Sequence, residues 1–242
     1  KKIKLSFMST DLPEYIIEKI VRAYVSYGEG LVAVRSSATA EDLPKLSFAG
    51  QQSSFLNLVG PREVVRHVQQ CWASLFEPRA MFYRYQNGID QVDVEMAVIV
   101  QDMVQPECSG VLFTADPVSG DIESIVIDAV FGLGESLVSG YIDPDHYVLE
   151  KSRLAIKEKY PSEQEWMLAR DLNNKRVMGE TNIWIKVSAD KQNLQKLSDA
   201  QIVVLAGIGR EIEEVFHSPQ DIEWAKEGED FYIVQSRPIT TL

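Results

Sequence analysis

The hydrophobic periodicity of the chain changes near residue 90, and this change limits the possible folds more than any other feature. Before it, residues 13–27 and a segment from Pro61 onwards carry apolar side chains at helical spacing, with a buried strand predicted between them at 31–34. After it, short apolar runs alternate with turns and predict β-strands. The sequence therefore predicts an α/β (α+β) fold, with a helical first part at residues 1–90 and a sheet-rich second part at 91–242.

The sheet-rich part is predicted to contain five strands, one long helix and a closing hairpin. The five strands are expected at residues 92–104, 110–114, 124–130, 147–149 and 154–158. Residues 160–182 are polar and weakly patterned, and we expect them to be irregular. Ser198 and Gln201 match a capping box, which predicts a helix that ends near His217. The hairpin is expected to pair residues 221–227 with 231–236.

Charge and composition exclude several classes of function. The chain has 36 Asp and Glu against 24 Lys and Arg, a net charge of -12, and it lacks a basic stripe, so we expect no nucleic-acid partner. An apolar run such as residues 96–100 falls far short of the ~20 residues that cross a bilayer. Cys71 and Cys108, the only cysteines, fit neither a zinc motif nor a disulfide framework. We therefore expect a cytoplasmic protein with no membrane span.

The predicted hairpin places four polar side chains in a defined relation. Asp221 and Glu223 are two residues apart on one strand and share a face, and Gln235 and Arg237 do the same on the other. With a three-residue loop at 228–230, Glu223 lies opposite Gln235 and Asp221 opposite Arg237, all on one face. A two-residue loop would place the two pairs on opposite faces, so the register decides whether a site exists.

Two carboxylates beside an arginine suit Mg-ATP. Hard carboxylate oxygens hold the metal, and a guanidinium clamps phosphate oxygens in a fixed fork. The alternative is a solvated hairpin face with a cross-strand salt bridge between Asp221 and Arg237. The hairpin by itself leaves both interpretations open.

Three further segments allow a phosphate-binding and a structural interpretation. Arg35 ends the first predicted strand and precedes two serines, which suits either a phosphate anchor or an ordinary strand-to-loop transition. Residues 47–54 are rich in glycine and small polar side chains and could approach phosphates closely, although no Walker motif follows. Gly132 and Gly134 are expected to form a tight structural turn, because the third glycine of a dinucleotide motif is missing. The three histidines, His67, His146 and His217, are all interpreted as structural.

Taken together, these segments resemble a known family. The segments that carry the resemblance are Val34-Arg35-Ser36-Ser37-Ala38-Thr39-Ala40-Glu41-Asp42-Leu43-Pro44, Ser47-Phe48-Ala49-Gly50-Gln51, Gln220-Asp221-Ile222-Glu223-Trp224 and Gln235-Ser236-Arg237-Pro238. They resemble, in order and spacing, the nucleotide-binding domain of the phosphoenolpyruvate synthase and pyruvate phosphate dikinase family. The segments 71–76, 131–135 and 231–240 are most similar to the rifampin phosphotransferases within that group.

The resemblance implies an ATP-grasp-like, two-lobed fold that binds ATP and Mg²⁺ between its lobes. It also assigns a role to each matching residue. Phosphate contacts fall to Arg35, Gln235 and Arg237, the phosphate-covering loop to Gly50 and Ser54, the adenine to Gln101, the metal to Asp221 and Glu223, and the ribose to Glu223 as an alternative to the metal. Arg35 and Arg237 are the two residues expected to act in catalysis.

The family mechanism implies that a phosphoryl group passes from ATP to a histidine on a separate swivelling domain, and then to a small-molecule acceptor at a third site. The acceptor is a rifampin-like antibiotic or pyruvate, and ATP ends as AMP and phosphate. Phosphoryl transfer depends mainly on positioning and charge stabilisation.

The chain also departs from the family pattern. Nothing before Arg35 resembles the family's Gly-rich segment with its phosphate-binding lysine, and no histidine has the Thr-x-His context of the phosphorylated one. We therefore expect a fragment that lacks this first segment, the swivelling domain and the acceptor domain, and that does not run the full reaction alone. The alternatives are a nucleotide- or partner-binding domain without turnover and a glucan dikinase-like role. The presence of Arg35, Glu223, Gln235 and Arg237 favours the phosphotransferase.

Overall fold

The computed structural model describes residues 2–39, 54–90, 94–171, 181–240 and 242. The chain forms two compact units, one of Lys1–Met103 with Asp171–Asn182 and one of Val104–Arg170 with Ile183–Leu242. The division into lobes near residue 90 stays a prediction, because compactness alone does not define the lobes of a parent fold. No helix in the described ranges is both long enough and apolar enough to span a bilayer.

The first unit combines four helices with a small antiparallel sheet. The helices are α1 (Lys2–Ser9), α2 (Glu14–Tyr27), α3 (Pro61–Ser74) and α4 (Pro78–Gln86), and the strands are β1 (Val32–Ala38), β2 (Ser54–Leu58) and β3 (Met96–Asp102). The strand order is β2-β1-β3. Val32 and Val34 of β1 are fully buried and pack against Val64 and Val68 of α3. The sheet face that carries Val32 and Val34 is therefore the one buried against α3.

The second unit is built on a six-stranded antiparallel sheet. Its elements are β4 (Cys108–Phe113), β5 (Ser124–Phe131), α5 (Glu135–Val138), β6 (Asp145–Glu150), β7 (Ala155–Tyr160), β8 (Trp166–Arg170), β9 (Asn182–Lys186), α6 (Asp199–Phe216), β10 (Gln220–Glu227) and β11 (Asp230–Pro238). The sheet order is β11-β10-β4-β5-β6-β7, and β8 pairs with β9 separately. Leu112, Ile222 and Trp224 pack with Ile202 and Leu205 of α6, which covers one face of the sheet.

A buried ion pair ties the chain together on this covered face. The side chains of Asp145 and Lys196 are both 0% exposed, with Asp145 Oδ1 2.7 Å from Lys196 Nζ. The backbone N–H groups of Ser162 and Lys196 each donate to the carboxylate at 2.8 Å, and the Tyr147 hydroxyl donates at 2.6 Å. Burial, reinforced by the bond to Asp145, raises the pKa of Tyr147 well above its ordinary value. Both carboxylate oxygens are therefore satisfied inside the core.

The capping box before the long helix is confirmed. Ser198 Oγ accepts from the Gln201 N–H at 3.3 Å, and the Ser198 N–H donates to Gln201 Oε1 at 3.0 Å. The helix then ends at His217, which adopts the left-handed conformation with a φ of 55°. Both ends of α6 therefore follow from local sequence chemistry.

Two predictions of irregular structure were wrong. β1 continues through Arg35 to Ala38, where a loop was expected, because these residues pair with β3. The segment 160–182 contains β8 and the first residue of β9, since Gly132 bridges Leu168 and anchors β8 beside β5. A Cβ on Gly132, whose φ is +78°, would meet the Leu168 carbonyl oxygen at 2.3 Å. Gly132 therefore lies in a bridge between distant segments, and this contact across the chain explains the missed strand.

Candidate functional site

The turn of the closing hairpin is shorter than predicted. Glu227 pairs with Asp230, so only Gly228 and Glu229 connect β10 to β11. The three-residue loop is therefore wrong. A two-residue turn in a regular ladder would place the predicted pairs on opposite faces of the sheet.

A bulge further along the hairpin reverses this effect. Glu223 pairs with Gln235, whereas Trp224 pairs with Ile233, so Val234 is an extra residue on β11. One added residue shifts the register by one and returns the polar side chains to a common face. Both predicted pairs are thereby confirmed: Glu223 with Gln235, and Asp221 with Arg237.

Asp221 and Arg237 are joined by a charge-assisted contact. Arg237 donates to Asp221 Oδ2 from Nε at 2.9 Å and from Nη2 at 2.7 Å. The second oxygen, Oδ1, is buried and accepts no hydrogen bond from the part of the chain that the structure describes. Burial raises the pKa of Asp221 above its ordinary value, although Arg237 opposes the shift. The carboxylate is thus held in place by Arg237, and one of its oxygens has no hydrogen-bond partner among the described residues.

The residues between these pairs point to the other side of the sheet. Ile222 and Trp224, which alternate with Asp221 and Glu223, are buried against α6. The polar set is therefore on the face of the six-stranded sheet opposite α6, within the second unit. This face is called the uncovered face below, because α6 does not cover it.

In the first unit, three predicted residues share one sheet face. Arg35 lies directly opposite Ser54 of β2, and Gln101 of β3 pairs with Ala33, two residues earlier on β1. Because Val34 faces the core, its neighbour Arg35 projects from the opposite face. The pairing then places Ser54 and Gln101 on the face of Arg35, so these side chains are brought together as an anion- and base-binding set would need.

Gly50 and the rest of the predicted phosphate-covering loop, residues 47–53, lie outside the described residues. Ser54 is the first described residue after that segment and opens β2.

On the uncovered face of the second unit, sequence reasoning missed Asp128 and interpreted its neighbour His146 only as structural. Asp128 of β5 pairs with His146 of β6, and their side chains contact each other. The available signal was a single carboxylate, Asp128, inside an otherwise apolar strand. Its partner could not be identified, because the pair forms only after the strand order is known.

The side chains around Asp221 and Glu223 decide which metal ion could bind on this face. Among the described residues, no group of three or more His, Cys, Asp or Glu side chains could hold a metal by itself. Magnesium is usually bound by one or two carboxylates together with substrate phosphates. Asp221 offers the unpaired oxygen Oδ1, and Glu223 is on the same face, so the residues fit magnesium bound together with a nucleotide.

The whole chain, residues 1–242, matches the family described as pyruvate phosphate dikinase, AMP/ATP-binding domain. It is 45% identical over 243 residues to a rifampicin phosphotransferase of Bacillus subtilis, covering 100% of this chain and 27% of that protein. It is 48% identical over 232 residues to a rifampicin phosphotransferase of Streptomyces sviceus, covering 96% and 26%. It is 44% identical over 252 residues to a phosphoenolpyruvate synthase of Pyrococcus furiosus, covering 99% and 30%. The chain thus spans less than a third of these relatives.

Proposed function

The chain belongs to the family of pyruvate phosphate dikinase AMP/ATP-binding domains, and on this premise we propose that it positions Mg-ATP for phosphoryl transfer within a multidomain dikinase-type phosphotransferase. The resemblance inferred from its motifs is confirmed. The observation that carries the proposal is the uncovered sheet face where Asp221, Glu223, Gln235 and Arg237 converge.

Arg237 is the phosphate clamp in this proposal. Two of its N–H groups already bind Asp221 Oδ2, which holds the guanidinium in one orientation before any ligand arrives. A guanidinium presents five N–H donors in a fixed fork, and this geometry suits phosphate oxygens. Gln235, opposite Glu223, adds an amide donor beside them.

Asp221 and Glu223 would hold Mg²⁺, which when bound neutralises charge on the nucleotide phosphates. Their contribution is to present oxygens from a rigid strand whose alternate side chains are locked in the core. Because Asp221 Oδ2 is committed to Arg237, Oδ1 is the oxygen assigned to the ion.

The first unit carries the remaining residues to which the family resemblance assigns contacts with the nucleotide. Arg35 binds phosphate oxygens as a cation, Ser54 donates its hydroxyl, and Gln101 binds the adenine through its amide. The common face of these three residues supports this assignment. Gly50 completes the phosphate-covering loop in the proposal.

The reaction assigned to the parent enzyme follows the family pattern. One phosphoryl group passes from ATP to a histidine on a swivelling domain and then to an acceptor, which is a rifampin-like antibiotic or pyruvate. The other is transferred to water and leaves as phosphate, and AMP remains. The polar residues named above stabilise charge on the transferring group and orient the phosphates.

The test is calorimetric titration of Mg-ATP into the chain and into Glu223→Gln. Glu227→Gln is the matched control, because Glu227 is exposed at the end of the same strand. We expect binding by the wild type and the control, and at least a tenfold loss in Glu223→Gln, since charge-assisted contacts contribute roughly 1.5–3 kcal/mol. Equal affinity in all three proteins would refute the site.

A further inference from the structure

Two polar residues of the hairpin motifs, Gln220 and Ser236, have no role in the proposed site. Gln220 directly precedes Asp221 on β10, and Ser236 directly precedes Arg237 on β11. Because side chains alternate along a strand, each projects from the face opposite to that of its neighbour. Ser236 also lies directly opposite Ile222, which packs in the core beneath α6. Both residues are therefore behind the site, on the face that α6 covers.

The backbone that carries Arg237 lies at the edge of the sheet. β11 is the outer strand of the six, and beyond the bulge at Val234 it pairs with residues 220–223 of β10. Pro238, which follows Arg237, has no backbone N–H to donate to the ladder. The position of Arg237 therefore depends on a short run of pairing and on the side-chain contacts that reinforce it.

A hydrogen bond between Ser236 and Gln220 reinforces this run from behind. Ser236 Oγ donates to Gln220 Oε1 at 2.9 Å. The orientation of the Gln220 amide is fixed, because its Nε2 donates to the carbonyl oxygen of Ser218 at 3.0 Å and a carbonyl can only accept. Gln220 is 1% exposed, so water does not compete for its oxygen. The bond thus holds β11 against β10 beside Arg237.

Gln220 is itself anchored to the interior of the sheet. Its backbone N–H donates to Thr114 Oγ1 at 2.8 Å, and its carbonyl oxygen accepts from the Thr114 N–H at 2.9 Å. Thr114 directly follows β4 and is fully buried. On the other side of Arg237, the Ile239 N–H donates to the Pro219 carbonyl oxygen at 2.9 Å. The chain is therefore fastened on both sides of Arg237.

The two faces of the hairpin hold different parts of Arg237. On the uncovered face, Asp221 binds the guanidinium. On the face covered by α6, the bond between Gln220 and Ser236 holds the backbone from which that side chain starts. A binding group has to be kept within about 0.5 Å of its productive position by the packing and hydrogen bonds around it. The guanidinium therefore needs both attachments to meet a phosphate.

We propose that Gln220 and Ser236 are positioning residues for Arg237, and that their hydrogen bond raises the affinity of the opposite face for nucleotide phosphates. The inference rests on the proposed function and extends it by a pair of residues that act through another residue. Their contribution passes through Arg237, so it disappears when Arg237 is replaced. A role in folding alone would leave the affinity of the folded protein unchanged.

The experiment is a double-mutant cycle on the affinity for Mg-ATP, measured by calorimetry. The cycle consists of the wild-type chain, Ser236→Ala, Arg237→Met and the double variant, and Ser236→Thr is added because it keeps the hydroxyl. Ser136→Ala is the matched control, since Ser136 is a buried serine of α5 whose hydroxyl donates to the Leu133 carbonyl oxygen at 2.9 Å. Urea unfolding shows whether each variant is folded under the conditions of the titration.

We expect Ser236→Ala to lower the affinity about three- to tenfold when Arg237 is present, the effect of losing one neutral hydrogen bond. In the Arg237→Met background the same change should alter the affinity less than about twofold, because the residue that it positions is gone. Ser236→Thr and Ser136→Ala should each stay within about twofold of wild type.

Wild-type affinity in Ser236→Ala would overturn the positioning role and leave the nucleotide site standing. Equal losses with and without Arg237 would also overturn it, because the hydroxyl would then act by another route. If Ser236→Ala does not fold, the same cycle with Gln220→Met, which removes the acceptor, gives the decision. A folded wild-type chain that binds no Mg-ATP contradicts the proposed function, wild-type affinity in Arg237→Met contradicts its phosphate clamp, and the inference falls with either.

Discussion

Two ion pairs on opposite faces of one sheet have contrasting surroundings. Asp145 and Lys196, on the face covered by α6, are 0% exposed, and both oxygens of the carboxylate are hydrogen-bonded. Asp221 and Arg237, on the uncovered face, are 14% and 26% exposed, and Asp221 Oδ1 accepts no hydrogen bond from the described residues. The hydrogen bonds of the first carboxylate are therefore complete, whereas those of the second are not.

This contrast separates a structural role from a binding role. A buried charge is tolerated only when its hydrogen bonds are complete, so the Asp145 network acts as an internal tie between β6 and the segment before α6. A carboxylate kept partly unsatisfied costs stability, and such costs concentrate where a ligand completes the set. Residue type alone does not distinguish the two pairs, because each is one acid with one base.

The largest expected effect comes from breaking the closed pair. Lys196→Met leaves Asp145 as a buried charge without its ion partner and lowers the free energy of unfolding by about 3–5 kcal/mol. Urea denaturation measures the loss. Lys191→Met is the matched control, because Lys191 is exposed five residues away, and we expect no change there. A loss below about 1 kcal/mol, the range of a surface pair, would show that the network is not a tie.

Removing Arg35, the residue of the first unit that is proposed to bind phosphate, is expected to affect binding rather than folding. Arg35→Met loses a contact to phosphate, and the affinity for Mg-ATP falls roughly 10- to 100-fold, equivalent to about 1.5–3 kcal/mol. The control Arg79→Met removes an exposed arginine from α4 and leaves affinity unchanged. Equal affinities measured by calorimetry for the variant and its control would exclude Arg35 from the site.

Lowering the pH is expected to weaken magnesium-dependent ATP binding through Asp221. Its pKa is raised by burial, so the carboxylate is protonated at a higher pH than an ordinary aspartate, and the oxygen proposed to bind magnesium then carries a proton. Magnesium-dependent ATP affinity should therefore decline early as the pH falls, and Asp221→Asn should show no such decline. Titrations with and without magnesium across the acid range measure this.

The raised pKa of Asp221 also affects the stability of the fold. Lowering the pH is expected to weaken binding, but it reduces a cost to stability. The folded chain binds a proton at Asp221 more tightly than the unfolded chain, so ionised Asp221 costs stability at neutral pH. That cost declines as the pH falls from the folded pKa towards the lower pKa of the unfolded chain, and it is absent below the latter. Urea midpoints of Asp221→Asn and wild type should therefore converge on acidification, and a gap that widens instead would contradict the assignment.

The smallest expected effect concerns the hydroxyl of Ser54. Ser54→Ala removes one neutral hydrogen bond and weakens Mg-ATP binding about two- to tenfold, or roughly 0.5–1.5 kcal/mol. Ser54→Thr keeps the hydroxyl and should stay within about twofold of wild type. If the alanine and threonine variants bind equally, the hydroxyl makes no contact.

The hairpin shows how far sequence reasoning reached into the site. Alternation along a strand was sufficient to place Asp221 and Glu223 on one face and to pair them correctly. The predicted turn was wrong, because a two-residue turn combined with a bulge at Val234 replaces the expected three-residue loop. A bulge depends on the packing of the finished sheet, which local sequence does not encode.

Other parts depended on contacts between distant segments. The helix after Ser198 was predictable to both ends, since capping chemistry is local. β2 and β8, each five residues long, were missed, because strand pairing rather than periodicity defines them. Two side-chain contacts were missed for the same reason, Asp145 with Lys196 and Asp128 with His146. Each joins residues that only the strand order and chain path bring together.

The most direct test of the two roles is a crossed measurement on Lys196→Met and Arg237→Met, with urea unfolding and Mg-ATP titration performed on both. We predict that Lys196→Met loses about 3–5 kcal/mol of stability yet binds Mg-ATP like wild type under conditions where it is folded. Arg237→Met should lose less stability than Lys196→Met, because the Asp221–Arg237 pair is partly exposed, and at least tenfold in affinity. The reverse pattern, or equal losses of affinity in both variants, would contradict the assignment of the uncovered pair to nucleotide binding.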